Sequence, residues 1–418
     1  MEDKIVVYGG ANLKGKVKVN GAKNAILPLI AASVLSKRKI KLFDVPFLED
    51  VKTMIKLLTS IGVHVEVEKE VLHIDAEEIT SVTAPIELVH KMRASFIILG
   101  PLLARKKRAC IPMPGGCAIG SRPVDQHLKG LKALGAKFKI EDGFVQGFAE
   151  KLIGTTIYLD FPSVGATQNI MMAATLSLGR TVIENAACEP EITDLANFLN
   201  TMGAKIRGAG TDEIRIDGVL ELCGTEYTVI PDRIEAATYM ASAAITRGEV
   251  FIEGVITDHL TSVISKMREM GVSILEDENG ILVSAKNGLS PVDVKTLPYP
   301  GFPTDAQSQM MVLLLTANGV SILTETVFEN RFMHVEELKR MGAMLKVQGR
   351  SVIIEGGKPL YGAKVRATDL RAGAALVLAA LIAKGKSEIV DVYHIDRGYV
   401  NFIENLKCLG ANIERFRT

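Results

Sequence analysis

The chain of 418 residues carries almost no net charge, 49 Lys and Arg against 48 Asp and Glu, so 49 − 48 = +1. A protein that coats nucleic acid shows a basic excess, so that class is excluded and only local basic pockets remain. Long hydrophobic runs are missing too. The longest, Ile26 to Leu35 and Ala372 to Ala383, stop short of the roughly 18 residues a membrane-crossing helix needs, and no membrane span is expected. The start Met1-Glu2-Asp3-Lys4 leads straight into strand-like Ile5-Val6-Val7-Tyr8, without the basic and apolar stretches of a secretion signal. Five cysteines, at 110, 117, 188, 223 and 408, include no CxxC pair, which argues against a disulfide framework or a zinc ribbon. A cytoplasmic location is expected. HExxH, a Walker loop and GxGxxG are also absent, so neither a metal nor a cofactor is expected.

What the chain does have is bulk and repetition. It is 48% hydrophobic and 23% charged, a soluble globular composition, and at about 150 residues per domain its length suggests two or three domains. One pattern recurs six times: an amphipathic helix ending in Leu or Met, then a Gly turn and a strand. The turn glycines are Gly62, Gly135, Gly203, Gly271, Gly342 and Gly410, spaced 73, 68, 68, 71 and 68 residues apart. Glycine suits such a turn because it enters the left-handed conformation at no steric cost. Upstream of each turn lies an Ala/Leu/Met-rich helix followed by a short strand: Lys23 to Val45, Arg93 to Met113, Gly165 to Ala187, Asp232 to Val255, Asp305 to Val327 and Asp369 to Val392. Helices apolar on nearly every side are buried helices. Each unit reads helix, strand, helix, strand, strand, preceded by one more strand, and two α/β domains of three units each are expected. The first strands belong to no complete unit beside them and are expected to complete the last one.

The starts of the buried helices carry Lys23-Asn24, Arg93, Ser163 to Thr167, Asp232-Arg233, Thr304-Asp305 and Asp369 to Arg371. Aspartates there act as caps. Cations oppose the helix dipole, so Lys23, Arg93, Arg233 and Arg371 point to an anionic ligand. One connection is long: 22 residues separate Met113 from Gly135, against 15 to 18 in the other units. Its Pro/Gly-rich segment holds Cys117 five residues before Arg122, and a loop thiol beside a cation loses its proton readily and serves as nucleophile or proton donor. A final cluster, His394 to Tyr399, stands at another strand-to-helix junction.

Six segments carry a resemblance: Gly21-Ala22-Lys23-Asn24-Ala25, Met92-Arg93-Ala94-Ser95, Pro114 to Asp125, Phe302-Pro303-Thr304-Asp305, Thr324 to Phe332 and Ala367-Thr368-Asp369-Leu370-Arg371-Ala372. They closely resemble the UDP-N-acetylglucosamine 1-carboxyvinyltransferase family of enolpyruvyl transferases, and the likeness runs essentially end to end. The resemblance implies an inside-out α/β barrel of two domains, each of three βαβαββ units, with the active site in the cleft between them. The domains would be residues 1–22 with 231–418, and residues 23–230. It implies transfer of the enolpyruvyl group of phosphoenolpyruvate to the 3′-hydroxyl of UDP-N-acetylglucosamine, the first committed step of peptidoglycan synthesis.

By the same resemblance, Cys117 is the general acid and forms a covalent phosphoenolpyruvate adduct, and Asp305 orients or deprotonates the sugar hydroxyl. Lys23, Arg122 and Arg397 would hold phosphoenolpyruvate, with Asn24 placing Lys23 and the sugar. Arg93, Arg122, Pro123, Val124, Asp125, Gln126, Ser163, Val164, Gly165 and Val327 would hold the sugar nucleotide, supported by Glu189, Asp232, Asp369 and Arg371. Phe161, where some relatives carry a basic residue, and Gln168-Asn169 depart from the family pattern. The alternatives are 3-phosphoshikimate 1-carboxyvinyltransferase, which shares the donor and the six-unit fold but not the Pro-Gly-Gly-Cys loop, and a non-catalytic regulatory paralogue that binds the sugar nucleotide.

Overall fold

A computed structural model describes residues 3–114 and 124–417. They form two compact units. The terminal unit holds 3–20 and 231–417, and the central unit holds the described residues of 21–230.

In the central unit, Thr225–Thr228 runs parallel to Ile40–Phe43, which pairs antiparallel with Val71–Asp75 and, beyond it, His64–Glu68. Thr156–Tyr158, Arg180–Glu184, Glu213–Asp217 and Lys205–Arg207 repeat that order. The sheet between them in sequence has three strands, Arg108–Pro112, Phe144–Phe148 and Lys137–Glu141. Its fourth position shrinks to a single parallel bridge from Thr83 to Cys110.

The terminal unit has three such sheets. Lys14–Lys18 lies parallel to Glu249–Glu253, and Val294–Lys295 parallel to Val320–Thr324, each followed by a hairpin. In the last sheet Lys364–Arg366 lies parallel to Lys386–Val390, and Lys4–Tyr8 sits between Lys386–Val390 and Asn412–Phe416. The first described strand thus takes the place of the second hairpin strand of the sixth repeat.

The buried helices are Lys23–Ala32, Leu99–Lys106, Val164–Ala174, Arg233–Ile245, Gln307–Leu315 and Leu370–Ile382. Every residue of Gln307–Leu315 is buried, as is all of Arg233–Ile245 after its first residue. In the terminal unit the last three helices pack on one another. The sheets cover them with one face, as where Leu72 and Ile74 point inward and Val71, His73 and Asp75 do not. Helices inside and strands outside reverse the usual layering, and sequence permits it because side chains rich in Ala, Leu and Met leave no polar face to solvate.

All six turn glycines have positive φ, between 88° at Gly342 and 103° at Gly135, the region an L side chain enters only at a cost. The second buried helix starts later than expected: Arg93–Ile98 is a 3-10 segment, and the α-helix begins at Leu99. Pro101 falls in the first turn of that α-helix, where a proline is tolerated. No helix among the described residues is long and apolar enough to cross a membrane.

Candidate active-site residues

In the terminal unit the helix starts converge on one carboxylate. Arg331 Nη2 donates to Asp305 Oδ1 at 2.7 Å and Arg371 Nη2 to Asp305 Oδ2 at 3.2 Å, so each oxygen faces its own guanidinium. Both cations are buried, Arg371 at 1% exposure and Arg331 at 5%. Burial works against the charge of Arg371, yet Tyr399, Asp305 and Asp232 together raise its pKa above the ordinary arginine value. Asp369 Oδ1 accepts from the backbone N–H of Arg371 at 2.9 Å and of Ala372 at 3.0 Å, capping its helix. Asp232 caps Arg233–Ile245 in the same way, accepting from Ile234 and Glu235 N–H.

Glu325, at 0% exposure, ties this cluster to the following loop. Its Oε1 accepts from Thr296 Oγ1 (2.8 Å), Val327 N (2.7 Å) and Phe328 N (3.1 Å), and its Oε2 from Thr304 Oγ1 (2.8 Å). Arg331 Nη1 donates to that same Thr304 hydroxyl at 3.0 Å. Val327 is therefore fixed through Glu325. Half-buried Arg397 ends the 3-10 segment Val392–Arg397. Burial, and then the Arg397 charge, hold neighbouring His394 below the usual imidazole range.

In the central unit Lys23, 8% exposed, begins its helix with Nζ 2.9 Å from Asp50 Oδ2, and Asn24 follows it half-buried. Ser163 caps Val164–Ala174, its hydroxyl accepting from Ala166 N at 3.4 Å. Gly165, in that first turn, faces His127: a Cβ there would stand 3.1 Å from both Cε1 and Nε2 of the ring. Burial, and then the Arg93 charge, pull His127 down to about 3, so it is neutral at physiological pH. Asn169 donates to Phe96 O at 3.3 Å, lies 3.0 Å from His127 Nδ1, and accepts from Gly100 N at 2.6 Å. These bonds hold together the Arg93–Ile98 segment, the start of Asp125–Ala133 and the helix capped by Ser163.

Gln126 Nε2 donates to Asp160 Oδ2 at 2.9 Å, while Val124 is buried and Asp125 exposed. Phe161, next to Asp160, is 48% exposed. Half-buried Glu189 precedes the helix Pro190–Thr201. Cys117, Arg122 and Pro123 lie outside the described residues. Among the described residues no group of three or more His, Cys, Asp and Glu is arranged to hold a metal ion.

The family model for EPSP synthase (3-phosphoshikimate 1-carboxyvinyltransferase) matches residues 7–406. The chain belongs to this family of enolpyruvyl transferases. Among curated relatives, UDP-N-acetylglucosamine 1-carboxyvinyltransferase 1 of Caldanaerobacter subterraneus subsp. tengcongensis is 60% identical over 99% of this chain and 100% of its own length. The enzyme of that name from Halalkalibacterium halodurans is also 60% identical, over 99% and 94%. UDP-N-acetylglucosamine 1-carboxyvinyltransferase 2 of Carboxydothermus hydrogenoformans is 58% identical over 99% of both chains. Among solved structures, the enolpyruvyl transferase NikO from Streptomyces tendae has a TM-score of 0.91 at 25% identity, covering 99% of each chain. EPSP synthase from Acinetobacter baumannii has a TM-score of 0.78 at 21% identity, covering 99% of this chain and 100% of that one. The two-domain α/β fold expected from the sequence is the fold of these enolpyruvyl transferases.

Sequence reasoning missed four contributors: Arg331, Glu325, Asp50 and the pair His127–Asn169. Arg331 and Glu325 lie inside a segment that carries the resemblance, yet nothing local marks their partners. Asp50 reads as an ordinary acidic residue in a helix's first turn.

Proposed function

We propose that the enzyme transfers the enolpyruvyl group of phosphoenolpyruvate to the 3′-hydroxyl of UDP-N-acetylglucosamine and releases phosphate, in the cytoplasm, as the first committed step of peptidoglycan synthesis. The observation that carries this reading is 58–60% identity, over 99% of the chain, to three relatives bearing that activity in their names. The Pro-Gly-Gly-Cys segment at 114–117 favours the sugar nucleotide over 3-phosphoshikimate as acceptor.

The chemistry has two halves. In the first, the sugar oxygen bonds to C2 of phosphoenolpyruvate, its proton leaves, and C3 gains a proton, giving a tetrahedral ketal. In the second, C3 gives up a proton and the C2–O bond to phosphate breaks. Cys117 delivers the proton to C3 and forms the covalent adduct; Asp305 orients the sugar hydroxyl or takes its proton. With both oxygens facing buried guanidinium groups, the Asp305 carboxylate is held in one orientation, which favours positioning of the hydroxyl. Lys23, Arg122 and Arg397 neutralise the phosphate and carboxylate of phosphoenolpyruvate as charge builds, and Asn24 places Lys23 and the sugar. Arg93, residues 122–126, Ser163 to Gly165 and Val327 hold the uridine diphosphate portion, with Glu189, Asp232, Asp369 and Arg371 in support. The N–H groups of Val164 and Gly165, ahead of the one that Ser163 caps, stand at a helix start that suits a phosphate.

Phosphate release from phosphoenolpyruvate, measured in parallel with UDP-N-acetylglucosamine or 3-phosphoshikimate as acceptor, tests the reading. Release only with the sugar nucleotide is expected. Release with the shikimate compound overturns the choice of acceptor, and silence with both favours a binding paralogue. Cys117→Ser is expected to abolish or severely reduce turnover, and wild-type turnover in it removes the cysteine from the acid role.

A further inference from the structure

Behind Arg371 lies a buried polar network that the proposed mechanism does not use. Tyr399, Thr238 and Gln309 are 4%, 0% and 1% exposed. Thr238 and Gln309 come from two of the three buried helices of the terminal unit, and Arg371 lies in the first turn of the third. The hydrogen-bond directions follow from counting protons. Ser308 Oγ donates to Gln309 Oε1 at 3.0 Å, which fixes the amide so that its Nε2 faces Tyr399 and Thr238. That Nε2 donates to Tyr399 Oη at 2.9 Å and to Thr238 Oγ1 at 3.1 Å. Thr238 uses its single proton on Ile234 O at 2.8 Å, so the 3.0 Å contact between the two hydroxyls is donated by Tyr399.

Thus pinned, the Tyr399 ring has one orientation. The Arg371 guanidinium stands over it, 5.5 Å from the ring centroid. Arg371 Nε and Nη1 make no hydrogen bond among the described residues, while Nη2 reaches Asp305. A buried guanidinium whose Nε and Nη1 lack hydrogen bonds is aimed by what it rests on, and here that is the Tyr399 side chain, ring foremost.

We propose that Tyr399 is a positioning residue for the enolpyruvyl transfer: its ring, locked by Gln309 and Thr238, sets the guanidinium of Arg371 and through it the carboxylate of Asp305. The inference rests on the role of Asp305 in the function proposed above.

Tyr399→Leu removes the aromatic face. It is expected to lower kcat by tenfold to about a hundredfold, the loss associated with a misplaced reacting group, while KM for each substrate changes by less than about threefold. Tyr399→Phe keeps the ring and is expected to recover most of that loss. Tyr239→Leu is the control for core damage. That tyrosine is also fully buried and bonds Asn405 and Glu235, and the variant is expected to keep kcat within about twofold. Wild-type kcat in Tyr399→Leu, or an equal kcat loss in Tyr239→Leu, overturns the proposal. Should Tyr399→Leu not fold, Gln309→Met removes the anchor of the ring instead; a kcat-specific loss supports the proposal and wild-type kcat overturns it. Asp305→Asn separates the two levels of argument. If it turns over normally, the reading of Asp305 fails; if it is inactive while Tyr399→Leu is as fast as wild type, only the positioning inference fails.

Discussion

Glu325→Gln perturbs the hub from which Val327 and Arg331 are both set. The carboxylate accepts four hydrogen bonds at 2.7 to 3.1 Å. Gln has one acceptor oxygen and one NH2 group, so the orientation matters. Placed at the Oε1 position, the NH2 meets three donors. Placed at the Oε2 position, it meets only the Thr304 hydroxyl, which must then accept from it as well as from Arg331 Nη1. The second orientation is the better one, and even there the proton of Thr304 loses its acceptor. Bonds to a charged acceptor contribute about 1.5–3 kcal/mol each, against about 1 kcal/mol for neutral ones. Three weakened bonds and one lost therefore come to about 3–9 kcal/mol. Relief from burying a charge offsets several kcal/mol of that, leaving a net loss of about 1–3 kcal/mol.

Urea denaturation of wild type and variant at neutral pH reads this loss as a lower midpoint. Because Val327 and Phe328 N–H both end on Oε1, the loosened loop is also expected to raise KM for UDP-N-acetylglucosamine about tenfold, equivalent to about 1.4 kcal/mol. KM for phosphoenolpyruvate is expected to change much less. An unchanged midpoint with unchanged KM for the sugar nucleotide would refute the claim that Glu325 holds this loop.

Two further outcomes concern stability. Burial, and then the neighbouring Asp232, raise Glu235 from 4.5 to about 8, so between those values the folded chain keeps a proton that the unfolded chain has released. Stability then falls as pH rises from 4.5 to about 8, by up to about 5 kcal/mol at about 1.4 kcal/mol per unit, and Glu235→Gln is expected to flatten that slope in urea titrations across the range. Asn169→Leu leaves the buried Gly100 N–H, which now donates at 2.6 Å, without its acceptor; a loss of about 1–3 kcal/mol is expected as a lower thermal midpoint, and an unchanged midpoint rules out Asn169 as the tie between these elements.

The repeat was legible because its physical requirements are local. A helix ending in a left-handed turn takes glycine, and Gly62, Gly135, Gly203, Gly271, Gly342 and Gly410 all have positive φ. A helix buried on every side has no polar stripe, as in Gln307–Leu315. Aspartate caps at 232 and 369 are local too. The site's wiring is not local. Asp305 meets partners 26 and 66 residues away, and Glu325 takes a bond from Thr296, 29 residues upstream. The α-helix begins at Leu99 rather than Arg93, a difference the sequence does not mark because the apolar pattern continues through the 3-10 segment and does not distinguish the two helix types. The missing strand of the three-stranded sheet gave no sequence signal, since Val82-Thr83 looks as strand-like as its counterparts.

The repeated frame also shows how Asp305, the aspartate to which the resemblance assigns chemistry, differs from its counterparts. Asp232 and Asp369 stand at the starts of buried helices and accept from backbone N–H groups of the first turn, a role that stabilises a helix by about 1 kcal/mol. The corresponding helix Gln307–Leu315 has no side-chain cap; a 3-10 turn over Thr304–Ala306 leads into it. That turn shifts Asp305 out of the capping position and presents its two oxygens to Arg331 and Arg371. The same duplicated position therefore yields a cap when its carboxylate turns onto its own helix, and an oriented carboxylate when a tightened turn and two buried guanidinium groups turn it away. Arg371 takes part in both arrangements, because Asp369 caps its backbone N–H while its side chain reaches Asp305. Disturbing the cap at Asp369 would consequently reach Asp305 through Arg371, although no bond between the two aspartates is needed for that coupling.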